Sequence, residues 1–118
     1  MGNLTTHVLD TSSGCPGEGI KITLSRLASD GSMQTLSSAI TNADGRVDGP
    51  ILTGVDFKPG TYQMEFSAGD YFRARGTSLT DPAFLDVVPI RFGISDADAH
   101  YHVPLLISPY GYSTYRGS

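Results

Sequence analysis

Apolar and polar residues alternate along several short stretches of the chain, which is typical of strands that bury one face. In residues 4–10, Leu4, Thr6 and Val8 fall on one face and His7 falls on the other. The same alternation is found in three further stretches, at residues 20–27, 60–66 and 100–107. Additional strands are predicted at residues 33–41 and 87–94, with a very short edge strand at residues 51–55.

Glycine, proline and acidic residues separate these stretches. Asp30-Gly31 is a strong signal for a hairpin. Ser108-Pro109 predicts a tight turn, followed by a last strand that runs to the end of the chain. Residues 69–76 are bounded by glycines and predict the one short helix. We therefore predict an all-β fold, a two-sheet antiparallel β-sandwich of about eight strands with one short helix.

The length and charge of the chain restrict its class. A chain of 118 residues predicts a single domain that covers residues 1–118. The net charge of −4 and the lack of a basic cluster argue against nucleic acid and against an anionic membrane as partners. There is no apolar run of membrane-spanning length and no signal-peptide pattern. We expect a cytoplasmic protein, or a periplasmic one if a signal peptide has been removed.

Three histidines and one cysteine are the candidates for metal or thiol chemistry. Cys15 is single and lies in a turn, so a thiolate zinc cluster and an internal disulfide are excluded. His100 and His102 share a strand face, and with His7 they could form a three-histidine zinc set. This spacing is a weak signal, since His100 could simply pair with Asp96 or Asp98. We predict no metal site.

Two of the histidines are expected on the outer surface of the sandwich. If the aliphatic residues of their strands face the core, His7 and His102 point away from it. An imidazole with a pKa of about 6.5 can take and give protons at neutral pH. Arg46 stands at a turn tip, where its fork of donors could hold a carbonyl-rich or anionic ligand.

The last strand would leave an unpaired edge unless another chain covers it. Edge-to-edge pairing would give a homodimer. If the outer faces of two such dimers then met, they would enclose a cleft, which is where small ligands bind.

Three segments of the chain resemble motifs of the transthyretin-like 5-hydroxyisourate hydrolases. They are LTTHVLD at residues 4–10 followed by Gly14-Cys15-Pro16, then Asp44-Gly45-Arg46, and the ending YHVPLLISPYGYSTYRGS. The final Tyr-Arg-Gly-Ser resembles the tetrapeptide that separates these hydrolases from transthyretin, the hormone carrier. The resemblance extends over the whole chain; Gly17 and the loop at residues 77–85 depart from it.

The resemblance implies a β-sandwich assembled as a homotetramer, a dimer of dimers, with active sites in the channel between the dimers. It also implies hydrolysis of 5-hydroxyisourate, the unstable product of urate oxidation, to 2-oxo-4-hydroxy-4-carboxy-5-ureidoimidazoline. No cofactor is expected. The alternative is a transthyretin-like carrier of a small ligand, without catalysis. A carrier needs an apolar channel, whereas the candidate lining here is polar.

Residue by residue, the resemblance implies a site lined by His7, Arg46, His102 and Tyr115, with Ser118 close by. We expect His102, paired with His7, to act as general base on the attacking water, although the sequence leaves open which histidine takes the proton. Arg46 is expected to hold the substrate and stabilise the developing oxyanion. Tyr115 is expected to position the substrate ring or the water, and Ser118 to belong to the catalytic group.

Overall fold

The computed structural model describes residues 2–117, which form two packed sheets and one short helix. The strands are β1 (Asn3–Asp10), β2 (Cys15–Pro16), β3 (Lys21–Leu27), β4 (Met33–Ile40), β5 (Leu52–Thr53), β6 (Gly60–Ser67), β7 (Val87–Ile94), β8 (Tyr101–Ser108) and β9 (Gly111–Thr114). The helix α1 spans Ala68–Ala74, and a 3₁₀ turn spans Gly54–Asp56. No helix of this part of the chain is long and apolar enough to cross a membrane.

The predicted all-β sandwich with one short helix is confirmed. One sheet has the order β2-β1-β8-β9, with β5 also paired to β1, and the other has the order β4-β3-β6-β7. The strand pairs are antiparallel except for β1 and β8, which run parallel from Leu4 opposite Tyr101 to Asp10 opposite Ile107. The strand pattern did not reveal this parallel pair, which joins the beginning of the chain to its end.

The core lies between the two sheets and consists of the inward-facing residues of both. Leu4, Val8, Leu105 and Ile107 are fully buried on the inner face of the first sheet. The second sheet contributes Ile22, Leu24, Tyr62, Met64 and Phe66, which are also fully buried. Because strand side chains alternate, this burial turns the residues between them outward.

The observed elements differ from the predicted ones in three places. Strand β2 was not predicted, because two residues are too few to show alternation. The helix begins directly after β6 at Ala68, one residue before the predicted start. Strand β9 ends at Thr114 rather than running to the end of the chain, although a single bridge joins Gly117 to His102 further on.

A buried carboxylate connects the end of β1 to the helix. Asp10 is 1% exposed and accepts hydrogen bonds from the Ser12 amide, the Ser12 hydroxyl, the Ser13 amide and the Tyr71 hydroxyl, which lies 2.8 Å away. Burial raises the pKa of Asp10, but these hydrogen bonds outweigh it and hold the pKa below the ordinary value of 3.8. The ionised form of Asp10 therefore stabilises the fold.

We expect Tyr71→Phe to lower the free energy of unfolding by about 1.5–3 kcal/mol at neutral pH, because it removes a hydrogen bond to a buried charge. The folded-state pKa of Asp10 is lowered, so its contribution is present above pH 3.8 and is lost as the pH falls through that lower value. The difference between Tyr71→Phe and wild type should shrink accordingly in urea unfolding at acidic pH.

Tyr110→Phe is the matched control, since Tyr110 is 63% exposed and its ring contact with Phe84 survives the change. It should unfold like wild type. Equal stability of Tyr71→Phe and Tyr110→Phe at neutral pH would contradict the role given to Asp10.

Candidate active site

The outer face of the β1–β8 pair holds two histidines close together. In the parallel register Thr5 lies opposite His102 and His7 lies opposite Pro104, so the two histidines are diagonal neighbours. Both are half-buried, whereas the residues beside them in each strand lie in the core. The predicted outward orientation of His7 and His102 is confirmed.

Arg46 joins this face from the turn that precedes β5. A single antiparallel bridge pairs Arg46 with His7. Next to it, the Val8 amide donates a hydrogen bond to the Gly45 carbonyl at 2.8 Å. The Arg46 residue is exposed, so its guanidinium is available to a ligand on the outer face. The structure therefore brings His7, Arg46 and His102 together, as the sequence motifs predict.

The turn that carries Arg46 is shaped by an asparagine and a glycine. The Asn42 side-chain oxygen accepts hydrogen bonds from the amides of Asp44 at 2.9 Å and Arg46 at 3.1 Å. Gly45 has a φ of +75°, and a Cβ there would stand 2.3 Å from the Val8 carbonyl oxygen. Only glycine allows both this backbone conformation and this close approach to β1.

The electrostatic surroundings of His102 keep its imidazole neutral. Burial lowers the pKa of His102 below 6.5, and the positive charge of Arg46 lowers it further, with smaller contributions from His100 and His7. A neutral imidazole at physiological pH has a lone pair free to accept a proton. His102 therefore has the protonation state that a general base needs.

The C-terminal segment packs against His102 through a glycine. The Gly117 amide donates a hydrogen bond to the His102 carbonyl at 2.7 Å. A Cβ on Gly117 would stand 2.5 Å from Cδ2 of the His102 ring. The adjoining Arg116 is anchored elsewhere, with its guanidinium carbon 4.0 Å from the centre of the Tyr101 ring. The glycine of the final motif thus limits where the His102 ring can lie.

For two predicted site residues, Tyr115 and Ser118, no contact within residues 2–117 shows a position next to the histidines. Tyr115 is 59% exposed and lines a cavity of about 230 Å³ with Tyr101, Phe92 and Arg116. Its contribution to the site stays a prediction. Ser118 lies outside the described residues, so its catalytic role also stays a prediction.

Two further residues, Asn3 and Thr5, lie on the same face and were not singled out from the sequence. The Thr5 hydroxyl lies 2.8 Å from His102 Nδ1 and 3.3 Å from His100 Nε2. The other nitrogen of His100 is hydrogen-bonded with the Asn3 side-chain oxygen. Strand alternation from His7 could have pointed to both residues, but asparagine and threonine alone suggest no chemistry.

Next to these residues the surface forms a cavity of about 280 Å³. Its walls include Thr5, Arg46 and His100, together with Val47, Gly49 and Pro50. A ligand bound there would contact Arg46, His100 and Thr5, and Thr5 is the residue that lies opposite His102.

The geometry does not form the three-histidine metal set considered above. Thr5 lies between His100 and His102, whose ring centres are 6.5 Å apart. Across residues 2–117, no group of three or more His, Cys, Asp and Glu side chains is arranged to hold a metal ion. The arrangement is suited to proton transfer and to binding of a polar ligand.

Comparison with known proteins gives a consistent result. The profile of the HIUase/Transthyretin family matches residues 4–117. The 5-hydroxyisourate hydrolase of Pseudomonas aeruginosa is 63% identical over 118 residues, covering 100% of this chain and 93% of that protein. The structure of Klebsiella pneumoniae 5-hydroxyisourate hydrolase has 36% identity and a TM-score of 0.82, with 100% of both chains covered. Sea bream transthyretin in complex with thyroxine has 26% identity and a TM-score of 0.87, with 98% of this chain and 94% of that chain covered.

The surroundings of His102 predict how its pKa responds to loss of a neighbouring charge. In wild type, NMR titration should give a pKa below 6.5 for His102. Arg46→Gln should raise this pKa towards 6.5, because one of the positive charges that disfavour the imidazolium is removed. Arg73→Gln is the control, since Arg73 pairs with Asp70 and Asp86. An unchanged His102 pKa in Arg46→Gln would show that the two side chains do not interact.

The close approach of Gly117 gives a separate prediction. Gly117→Ala should displace the His102 ring, because the added methyl group would overlap with Cδ2, and the ring signals of His102 in NMR spectra should shift. Gly111→Ala is the matched control, since a Cβ at Gly111 would meet only the Ser108 hydroxyl at 3.7 Å. If Gly117→Ala left the His102 signals as in wild type, Gly117 would not pack against the His102 ring.

Proposed function

The chain belongs to the HIUase/transthyretin family, and we propose that it acts within it as a hydrolase of 5-hydroxyisourate. The observation that carries this proposal is the cluster of His7, Arg46 and a neutral His102 on the outer face of the β1–β8 pair. Proton transfer and anion binding are the two functions that hydrolysis of a cyclic amide needs from protein side chains.

The reaction opens the ring of the substrate at an amide bond. The oxygen of a water molecule adds to the ring carbonyl carbon, while one of its protons passes to an imidazole. The resulting tetrahedral intermediate then breaks its C–N bond, and the leaving nitrogen takes the proton back from the imidazolium. A carboxyl group remains on the opened product, 2-oxo-4-hydroxy-4-carboxy-5-ureidoimidazoline. No electron acceptor or other co-reactant is needed, in keeping with the prediction of no cofactor.

His102 is the general base in this proposal, with His7 beside it. The lowered pKa of His102 supports this assignment, because the base must be unprotonated when water attacks. His7 lies diagonally across the same face and pairs with Arg46 through the single bridge. In this proposal His7 binds the substrate or orients the water from the other side.

Arg46 stabilises the oxyanion in this proposal. Arg46 is exposed and comes directly after Gly45, which is hydrogen-bonded to Val8 of β1. A fixed cation at the point where negative charge develops stabilises the transition state more than the ground state. The guanidinium can also hold carbonyl oxygens of the planar ring through its fork of donors.

A complete site requires more than one copy of the chain in this proposal. The outer face that carries His7 and His102 is open, and β9 is an edge strand of its sheet in the described part of the chain. Edge-to-edge pairing followed by contact between outer faces would form a homotetramer and enclose the site. Tyr115 and Ser118 would then reach the substrate from the C-terminal segment. A cytoplasmic location remains a prediction, which cell fractionation would test.

Carriage of a small ligand without catalysis is the competing function, since the fold is shared with sea bream transthyretin. The polar cluster of two histidines and an arginine favours hydrolysis, because binding an apolar ligand does not require a neutral imidazole next to an exposed guanidinium.

The function is tested by mixing fresh 5-hydroxyisourate with the protein and following its near-ultraviolet absorbance. Wild type should accelerate the decay. His102→Asn should lower the catalysed rate by about 10²–10⁴-fold, because the general base is lost, without changing the mass of the assembly in solution. Gln34→Ala, at an exposed position of β4 in the other sheet, is the control and should retain the wild-type rate.

If wild type did not accelerate the decay of 5-hydroxyisourate, hydrolysis would be rejected and carriage of a small ligand would be the remaining function. Wild-type turnover by His102→Asn would remove this histidine from the mechanism.

A further inference from the structure

Four polar side chains, those of His102, Thr5, His100 and Asn3, form a hydrogen-bonded network along the outer face. His102 Nδ1 lies 2.8 Å from the Thr5 hydroxyl, and the same hydroxyl lies 3.3 Å from His100 Nε2. The network ends at Asn3, whose side-chain oxygen is hydrogen-bonded with His100 Nδ1. None of these contacts involves Nε2 of His102, which is the nitrogen left for a ligand.

The fold aligns these four residues for simple reasons. Asn3 and Thr5 occupy successive outward positions of β1, and His100 and His102 are likewise two residues apart. The register places Thr5 directly opposite His102. The two imidazole rings lie nearly parallel, with an angle of 13° between them, and the hydroxyl of Thr5 contacts a nitrogen of each. Threonine is stiff about its first side-chain torsion, so this hydroxyl is well positioned.

The direction of each hydrogen bond follows from counting protons, beginning at Asn3. An amide oxygen can only accept, so His100 Nδ1 must carry a proton and donate it. A neutral His100 then has a bare Nε2, which accepts the proton of the Thr5 hydroxyl. The oxygen of Thr5 in turn accepts, which requires a proton on Nδ1 of His102 and leaves Nε2 of His102 without one.

We propose, on the basis of the function proposed above, that Asn3, Thr5 and His100 are positioning residues that hold His102 in the Nδ1–H tautomer. In this tautomer Nε2 presents its lone pair to the water. After the water gives up its proton to Nε2, the imidazolium keeps donating Nδ1–H to the Thr5 oxygen. The orientation of the ring therefore does not change between the two states of the base.

The other neutral tautomer of His102, protonated at Nε2, would place a positive charge on His100. If Thr5 donated to His102 Nδ1, it would have no proton for His100. His100 would then have to donate from both of its nitrogens and carry a positive charge. It shares the walls of one cavity with Arg46, whose positive charge already lowers the pKa of His102. A further fixed cation in this cluster is unfavourable.

The low pKa of His102 agrees with a network made of neutral groups. A carboxylate behind an imidazole favours the imidazolium, as in catalytic triads. Here the partner is a hydroxyl, which orients the ring without favouring its charged form. Thr5, His100 and Asn3 thus set the tautomer of His102, while burial and the charge of Arg46 lower its pKa.

The proposal is tested by nitrogen NMR of histidine-labelled protein above neutral pH, which distinguishes the two tautomers of a neutral imidazole. In wild type, His102 should be protonated at Nδ1 and bare at Nε2. Thr5→Val keeps the shape of the side chain but removes the hydroxyl. It should abolish the preference for this tautomer and lower kcat by about 10- to 100-fold, the loss typical of removing a hydrogen bond that orients a metal-bound histidine, with little change in KM.

Two variants separate positioning from a general effect on the structure. Thr5→Ser restores the hydroxyl and should recover both the tautomer and most of kcat. Thr35→Val, at an exposed position of β4, is the matched control and should behave as wild type. If Thr5→Val does not fold, Asn3→Ala provides the second test. It removes the acceptor that sets the direction of the hydrogen bonds in the network, so the preference of His102 for the Nδ1–H tautomer should weaken.

A wild-type His102 protonated at Nε2 would overturn the proposal. So would a Thr5→Val protein that keeps the Nδ1–H tautomer and the wild-type kcat. The NMR result does not depend on turnover, so it judges the tautomer even if wild type fails to hydrolyse 5-hydroxyisourate. Failure of hydrolysis alone would reject the proposed function and leave the tautomer assignment in place.

Discussion

The parallel ladder between β1 and β8 determines both how the first sheet packs and where the two histidines lie. It joins the first strand of the chain to one of the last, from Leu4 opposite Tyr101 to Asp10 opposite Ile107. The same register that buries Leu4, Val8 and Leu105 turns His7 and His102 outward as neighbours. A slip of one residue in either strand would move its histidine into the core and its core residues into water. Core packing and site geometry are therefore set by the same pairing.

The outer face is completed from both sides by backbone that approaches very closely. On one side the Gly45 carbonyl accepts from the Val8 amide, and on the other the Gly117 amide donates to the His102 carbonyl. At both glycines a Cβ would overlap with a neighbouring atom of the site. Glycine at these positions lets the turn deliver Arg46 and lets the C-terminal segment pack against the His102 ring. Both glycines thus determine the geometry of the site through the backbone.

Strand alternation was enough to predict most of the fold and the outward direction of both histidines, because burial of one face leaves a period of two in the sequence. It could not predict the parallel partner of β1, since alternation within a strand says nothing about its neighbour. The proximity of Arg46 to His7 came from the family resemblance, because a turn residue has no periodic signal.

The parts of the site that were missed have a physical explanation as well. Threonine is a common strand residue, so nothing marked Thr5 before its partners His100 and His102 were located. His100 itself was considered for metal binding or for pairing with an acidic residue, and its contacts with Asn3 and Thr5 carry no such signal in the sequence. The place of Tyr115 depends, in the proposed assembly, on other copies of the chain, and a single sequence does not describe their arrangement.

In the proposed mechanism His7 and His102 act as one unit on the outer face of the β1–β8 pair. A double-mutant cycle on kcat/KM for 5-hydroxyisourate, with His7→Asn, His102→Asn and the combined variant, tests it most directly. Residues that act together show strongly non-additive losses, so the combined variant should be little slower than the slower single variant. Losses that simply multiply would mean that the two histidines work independently, and would contradict this account.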